Sequence, residues 1–200
     1  MIKLIALDLD GTTLNHNGRL EERTKNTIEK AISKGVQVVI STGRVLSALP
    51  KDILAVSGIR YAITSNGANI IELDTETPVY TNYMHAKTVE AVVKTLKRHD
   101  FMTEVFTGGH AFIEKSVYDN ILQNGSPLNN TEYLLATRKP VENLLDYIIR
   151  CKDSIENINQ NFINQEDRAM MKDVFGEISD ISVTNSFDYN LEICGKNTSK

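Results

Sequence analysis

Three features of the 200-residue sequence predict an α/β fold: an unbroken apolar run at residues 4–7, an amphipathic stretch at 21–34, and a second, nearly unbroken apolar run at 36–40. Apolar runs without alternation suit strands buried on both faces, and such strands belong to parallel sheets covered by helices. Strand, helix and strand in this order make the βαβ unit of a doubly wound sheet.

The first run ends in Asp8-Leu9-Asp10-Gly11-Thr12. Strand side chains alternate, so Asp8 and Asp10 are expected on one side of the strand end, with Gly11 turning the chain sharply just beyond them. Two carboxylates at the carboxyl edge of a parallel sheet lie where open α/β folds put their ligands. Like charges this close favour a shared proton or a cation between them. Hard oxygen donors suit Mg²⁺, which takes one or two protein carboxylates and leaves its other positions to water and substrate phosphate. One carboxylate is then suited to attack phosphorus and the other to move protons. Taken alone, Asp-x-Asp-Gly is also an ordinary polar turn after a strand, or a fragment of a calcium loop.

In the stretch 21–34, Thr24, Ile28, Ala31 and Ile32 recur at helical spacing with charges between them, and Gly35 closes it as a C-cap glycine. The run 36–40, interrupted only by Gln37, leads into Ser41-Thr42-Gly43-Arg44 ahead of an expected helix over 45–56. A hydroxyl and a glycine between strand and helix make a small anion site, since helix N–H groups and the Thr42 hydroxyl can donate to a phosphate oxygen. The plainer reading is a helix N-cap followed by an exposed arginine. As the end of the strand next to the first, this segment is expected to face the Asp pair. A third strand over 61–64 leads into Ser65-Asn66-Gly67-Ala68, where Asn66-Gly67 is the signature of a tight hairpin turn, with 69–73 as the returning strand.

From about Asn82 the pattern changes. Residues 86–98 are amphipathic, with Val89, Val92, Val93 and Leu96 on one face, and 101–107 and 111–114 read as a hairpin around Gly108-Gly109. Helices are expected over 117–122, 141–151 and 167–175, and strands over 133–137, 155–163, 181–184 and 189–193. Helices alternating with hairpin strands suggest a separate α+β domain, inserted into the first.

The composition limits the partners. With 41% hydrophobic residues an ordinary core is available, and a net charge of −4 argues against a surface for nucleic acid or anionic membranes, so any phosphate must be held locally. Lys3, Asp8 and Asp10 interrupt the first ten residues, which excludes a signal-peptide core there, and no run approaches the roughly 20 apolar residues that span a bilayer. Cys151 and Cys194 lack Cys-x-x-Cys spacing and suit reduced thiols in the cytoplasm. His16, His85, His99 and His110 are scattered among polar neighbours and read as surface or core-edge residues.

The chain resembles the haloacid dehalogenase superfamily of phosphatases. Asp8-Leu9-Asp10-Gly11-Thr12 matches that family's first motif completely. Thr42-Gly43-Arg44 and Asn66-Gly67-Ala68 are similar to runs of its Cof-like subfamily with large caps, and the terminal Gly195 to Ser199-Lys200 looks like its third motif. The resemblance implies a Rossmann-like parallel core, incomplete at the C-terminus, with an inserted α+β cap of the C2 type. The core would take residues 1–82, the cap 83–187, and 188–200 would return to the core. It implies Asp8 as the nucleophile that becomes an aspartyl phosphate, Asp10 as general acid and base, and Thr42 and Lys200 as the groups holding the phosphoryl oxygens. Mg²⁺ would take the Asp8 side chain and the Asp10 main-chain carbonyl. Leu9, Gly11, Thr12, Gly43, Arg44 and Asn66 would line the substrate, the first of these through main-chain N–H groups. Without the resemblance, a terminal lysine is a solvated tail.

The family's fourth motif begins with Gly-Asp, a pair this sequence does not contain. The expectation is therefore a truncated chain whose first strand keeps an unpaired apolar edge, a feature that promotes self-association. The implied activity is Mg²⁺-dependent hydrolysis of small phosphorylated metabolites such as sugar phosphates. Two other readings are a catalytically incomplete fragment that binds phosphate or a partner, and a phosphoacceptor domain of the response-regulator kind. The latter predicts an acceptor Asp on a central strand and a shorter chain without a second domain, and neither fits.

Overall fold

The computed structural model describes residues 2–128 and 130–200. Among these residues the chain forms two compact units, one running up to Asn82 and taking in Ser199 and Lys200, the other Tyr83–Thr198.

The first unit is built on β1 (Leu4–Leu7), β2 (Gln37–Ser41), β3 (Tyr61–Thr64), β4 (Asn69–Glu72) and β5 (Thr77–Thr81), in the sheet order β1-β2-β3-β4-β5. β1, β2 and β3 are parallel, with Leu7 opposite Ile40 and Ser41 opposite Ile63; β4 and β5 return antiparallel. Helix α1 (Glu22–Ser33) crosses from β1 to β2 and ends where Gly35 takes a φ of +81°, a value glycine adopts without strain. Ile28 of α1 packs with Leu9, Val38, Ile40, Ile53 and Ala62 in a core cluster that supports the carboxyl ends of β1 and β2.

Three expectations are corrected here. β1 is not buried on both faces: Leu4 is 52% exposed, and among the described residues no strand pairs with its outer edge. The helix expected over 45–56 is two short pieces, a 3-10 turn at Leu46–Ala48 and α2 (Lys51–Leu54). Pro50 separates them, because a proline has no N–H to continue a helix and disfavours helical geometry in the residue before it. The Asn66-Gly67 turn is not a two-residue hairpin either. Thr64 pairs with Asn69, so four residues form the loop, and Ser65, Asn66 and Gly67 all have positive φ. β5 carried no apolar alternation and escaped the sequence pattern; it is exposed along its length, with Pro78 tolerated at the sheet edge.

The second unit contains α3 (Ala86–Leu96), β6 (Met102–Thr107), β7 (His110–Glu114), α4 (Lys115–Asn124), α5 (Thr131–Thr137), β8 (Arg138–Val141), α6 (Leu144–Arg150), β9 (Ile155–Asn161), α7 (Gln165–Gly176), β10 (Ile181–Thr184) and β11 (Asn190–Gly195). Its sheet runs β10-β11-β9-β6-β7-β8, antiparallel except for β7 with β8. Val92 of α3, Ile148 of α6 and Phe175 of α7 cover one sheet face through Val105, Ile158 and Ile193. The opposite face carries a buried polar row. Arg138 forks onto Glu104 at 3.1 Å through both Nε and Nη2, Asn159 donates to Glu104 at 2.8 Å, and Asn190 donates to Asn159 at 3.0 Å.

Residues 133–137, expected as a strand, are the body of α5. Asn130 Oδ1 accepts the Tyr133 N–H at 2.9 Å and caps that helix, so the local cap decides a short apolar run whose pattern is ambiguous. Residues 188–200 do not return to the first sheet as expected. β11 pairs with β10 and β9, its Leu191 and Ile193 join the second unit's core, and only Ser199 and Lys200 belong to the first unit.

Candidate active site

Asp8 follows the last residue of β1, and Thr42 follows the last residue of β2. With Leu7 opposite Ile40, Asp8 comes level with Ser41, so both segments leave the sheet at the same carboxyl edge. Beyond Asp8 the chain makes a wide turn at Leu9–Thr13, possible because Gly11 takes a φ of +71°. Two bonds fix that turn: Thr13 Oγ1 donates to the Asp8 carbonyl at 2.5 Å, and the Leu14 N–H donates to the Leu9 carbonyl at 2.9 Å. The Leu9 side chain is wholly buried in the core, so only its main chain is available to a ligand. Gly11 and Thr12 are exposed on the turn.

The two aspartates have different partners. Lys200 Nζ donates to Asp8 Oδ1 at 2.8 Å, an ion pair between residues 192 positions apart, with both side chains about two-fifths exposed. Asp10 is gripped by Arg44, whose Nε meets Oδ2 at 2.9 Å and whose Nη2 meets Oδ1 at 2.7 Å. Arg44 is itself held: Nη1 donates to the Ala48 carbonyl at 3.1 Å, its N–H to Thr42 Oγ1 at 3.2 Å, and its carbonyl accepts the Ser65 N–H at 2.9 Å. No helix begins at Thr42; β2 ends at Ser41 and the next helical piece begins only at Leu46.

Asn66 sits beside Gly43. A Cβ built on Gly43 would fall 2.8 Å from Asn66 Oδ1, and the Asn66 N–H donates to the Thr42 carbonyl at 3.2 Å. Gly67 is the residue the motif reading undervalued. Its Cβ would fall 2.2 Å from the Ser199 carbonyl oxygen, so glycine there clears the path of the segment that carries Lys200. The Asn-Gly dipeptide was the visible signal, read as a hairpin turn with Asn66 as the substrate candidate and no role for Gly67. Thr13 was also missed, and its hydroxyl gave no sequence pattern beyond its place after the motif.

For a metal, the donor set is two acidic residues of hard oxygen type. Among the described residues no cluster of three or more His, Cys, Asp or Glu side chains is suited to hold an ion. Two acids with water and phosphate completing the shell fit Mg²⁺. Arg44 already supplies positive charge to the Asp10 carboxylate, so the donors that would hold the ion are the Asp8 carboxylate and the Asp10 main-chain carbonyl.

The family described as haloacid dehalogenase-like hydrolase matches residues 5–200. This chain belongs to that family. It is 42% identical over 69 residues to the 5-amino-6-(5-phospho-D-ribitylamino)uracil phosphatase of Bacillus subtilis, covering 34% of this chain and 28% of that protein. It is 32% identical over 137 residues to another phosphatase of Bacillus subtilis, covering 66% of this chain and 43% of that one. The matches thus span less than half the length of these relatives. Among solved structures, a haloacid dehalogenase-like hydrolase from Bacillus subtilis superposes with a TM-score of 0.77 at 21% identity, covering 100% of this chain and 75% of that one, which identifies the fold.

Proposed function

We propose that this chain is the catalytic framework of a phosphomonoester hydrolase acting on small phosphorylated metabolites through an aspartyl phosphate on Asp8. The observation that carries the reading is the ion pair of Lys200 with Asp8 at the carboxyl end of β1, beside a second aspartate held by Arg44. An Asp8 carboxylate oxygen attacks phosphorus, the ester P–O bond breaks, and the Asp10 carboxyl group gives its proton to the departing alkoxide. The Asp10 carboxylate then takes a proton from water as that water attacks phosphorus, the bond to Asp8 breaks, and inorganic phosphate leaves. Lys200 neutralises the equatorial phosphoryl oxygens, and Thr42 with the main-chain N–H groups of the Leu9–Thr13 turn hold them. Asn66, beside Gly43 and Thr42, lines the same edge.

The Asp8 carboxylate and the Asp10 carbonyl are suited to bind Mg²⁺, which when bound supplies positive charge to the phosphoryl oxygens. The ribityl phosphate in the name of one relative supports a sugar-phosphate type of substrate. A chain of net charge −4 suits a small ligand rather than a polyanion. Cytoplasmic location is supported by Cys151 and Cys194, neither of which is in a disulfide. Among the described residues no helix is long and apolar enough to cross a membrane. Hydrolysis of p-nitrophenyl phosphate, with and without Mg²⁺, by the wild type and Asp8→Asn tests the reading. Turnover lost in Asp8→Asn supports it, and turnover that survives the substitution refutes it.

A further inference from the structure

We infer that Arg44 is the positioning residue for Asp10, setting the carboxyl group that moves protons in the reaction proposed above, on which this inference rests. Sequence reading placed Arg44 against the substrate. Its side chain is instead spent on the protein: two parallel N–H···O bonds to Asp10 at 2.9 and 2.7 Å, and a third bond to the Ala48 carbonyl at 3.1 Å.

The burial of the two partners says which one orders the other. The Arg44 side chain is 15% exposed and that of Asp10 is 54% exposed. Asp10 stands on a turn next to Gly11, and an exposed Asp side chain there would sample several rotamers. Arg44 is anchored at the guanidinium by Ala48 and at the main chain by Thr42 and Ser65. A bidentate fork fixes the plane of a carboxylate as well as its position, which the point charge of lysine does not do. Proton transfer requires the acid within hydrogen-bonding reach of the departing oxygen, and misplacement by about 1 Å costs on the order of a hundredfold. The Arg44 fork supplies that placement across 34 residues of sequence.

The test separates the two chemical steps. A p-nitrophenolate departs without needing a proton, whereas the alkoxide of an alkyl phosphate does need one; both substrates need Asp10 for attack of water on the aspartyl phosphate. Wild type, Asp8→Asn, Asp10→Asn, Arg44→Ala, Arg44→Lys and the double variant Asp10→Asn/Arg44→Ala are mixed with p-nitrophenyl phosphate or an alkyl phosphate in Mg²⁺ and quenched. The p-nitrophenolate burst is followed by absorbance and bound phosphoryl by intact mass. Arg44→Ala is expected to behave like Asp10→Asn, accumulating phosphoenzyme from p-nitrophenyl phosphate while phosphoryl transfer from the alkyl phosphate falls by about a hundredfold or more. Arg44→Lys keeps the cation and the aliphatic stem, guarding against misfolding, and is expected to show the same accumulation. The double variant is expected to lose nothing beyond Asp10→Asn. A uniform rise in KM for both substrates with no accumulation would overturn the positioning role and leave the phosphatase reading standing. Absence of any Asp8-dependent phosphoenzyme in the wild type and every variant would overturn the phosphatase reading, and this inference with it.

Discussion

The carbonyl oxygen of Ser199 occupies the place where any side chain on Gly67 would begin, 2.2 Å from an ideal Cβ. Gly67 also has a φ of +99°, which other residues adopt only under strain. Gly67→Ala is therefore expected to displace residues 199–200, cost about 1–3 kcal/mol in stability, and lower phosphatase turnover as far as Lys200→Ala does, about a hundredfold. Gly43→Ala meets only the movable end of the Asn66 side chain and is expected to be milder. Urea unfolding and turnover of the three variants check this order; equal effects at Gly43 and Gly67 would contradict it.

In the second unit, the wholly buried Glu104 is paired with Arg138, whose side chain is 9% exposed and lies 5.2 Å from the Tyr133 ring centroid. Removing one partner leaves a buried charge without its counter-ion, so Arg138→Met is expected to destabilise that unit by about 3–5 kcal/mol, whereas Glu104→Leu/Arg138→Met together should cost much less. Denaturant midpoints of the single and double variants decide it.

Legibility followed local physics. The apolar runs that became β2 and β3, and the amphipathic α1 closed by Gly35, were readable because their pattern matched their structure; the run at β1 marked a strand but not its exposed Leu4. Asp8, Asp10, Thr42 and Arg44 were singled out by motif, but the bond between Asp10 and Arg44 was not, because nothing in a sequence says which of two opposite charges 34 residues apart will meet. The α5 segment was misread because the Asn130 side chain, rather than the apolar pattern, fixes its conformation. The division near the C-terminus was misplaced because an apolar strand ahead of a motif reads alike whichever sheet accepts it; β11 was taken by β9 and β10.

Stability should fall at alkaline pH. Burial, and then the nearby Cys151, push the Tyr147 hydroxyl up to about 12, and burial raises Tyr83 and Tyr189 in the same direction. In the unfolded chain tyrosine ionises near 10. Between about pH 10 and 12 the unfolded state therefore holds fewer protons than the folded one, and stability present below pH 10 is lost as pH rises. Urea midpoints across that window should drop, and Tyr147→Phe should flatten the slope; an unchanged slope would assign the loss to other groups.

β1 has no strand on its outer edge among the described residues, and Leu4 on it and Ile2 just before it are 52% and 69% exposed. Unpaired apolar edges invite pairing with other chains. Sedimentation velocity is expected to show mass rising with concentration, reduced by Leu4→Lys. A monomer at every concentration would contradict the expectation.

The central claim is that phosphate passes through Asp8. Borohydride reduction of protein quenched during turnover of p-nitrophenyl phosphate converts an aspartyl phosphate to homoserine, and peptide mapping locates it. The account predicts homoserine at position 8 alone, absent without substrate. Homoserine at Asp10 or elsewhere, or turnover with none at all, would contradict it.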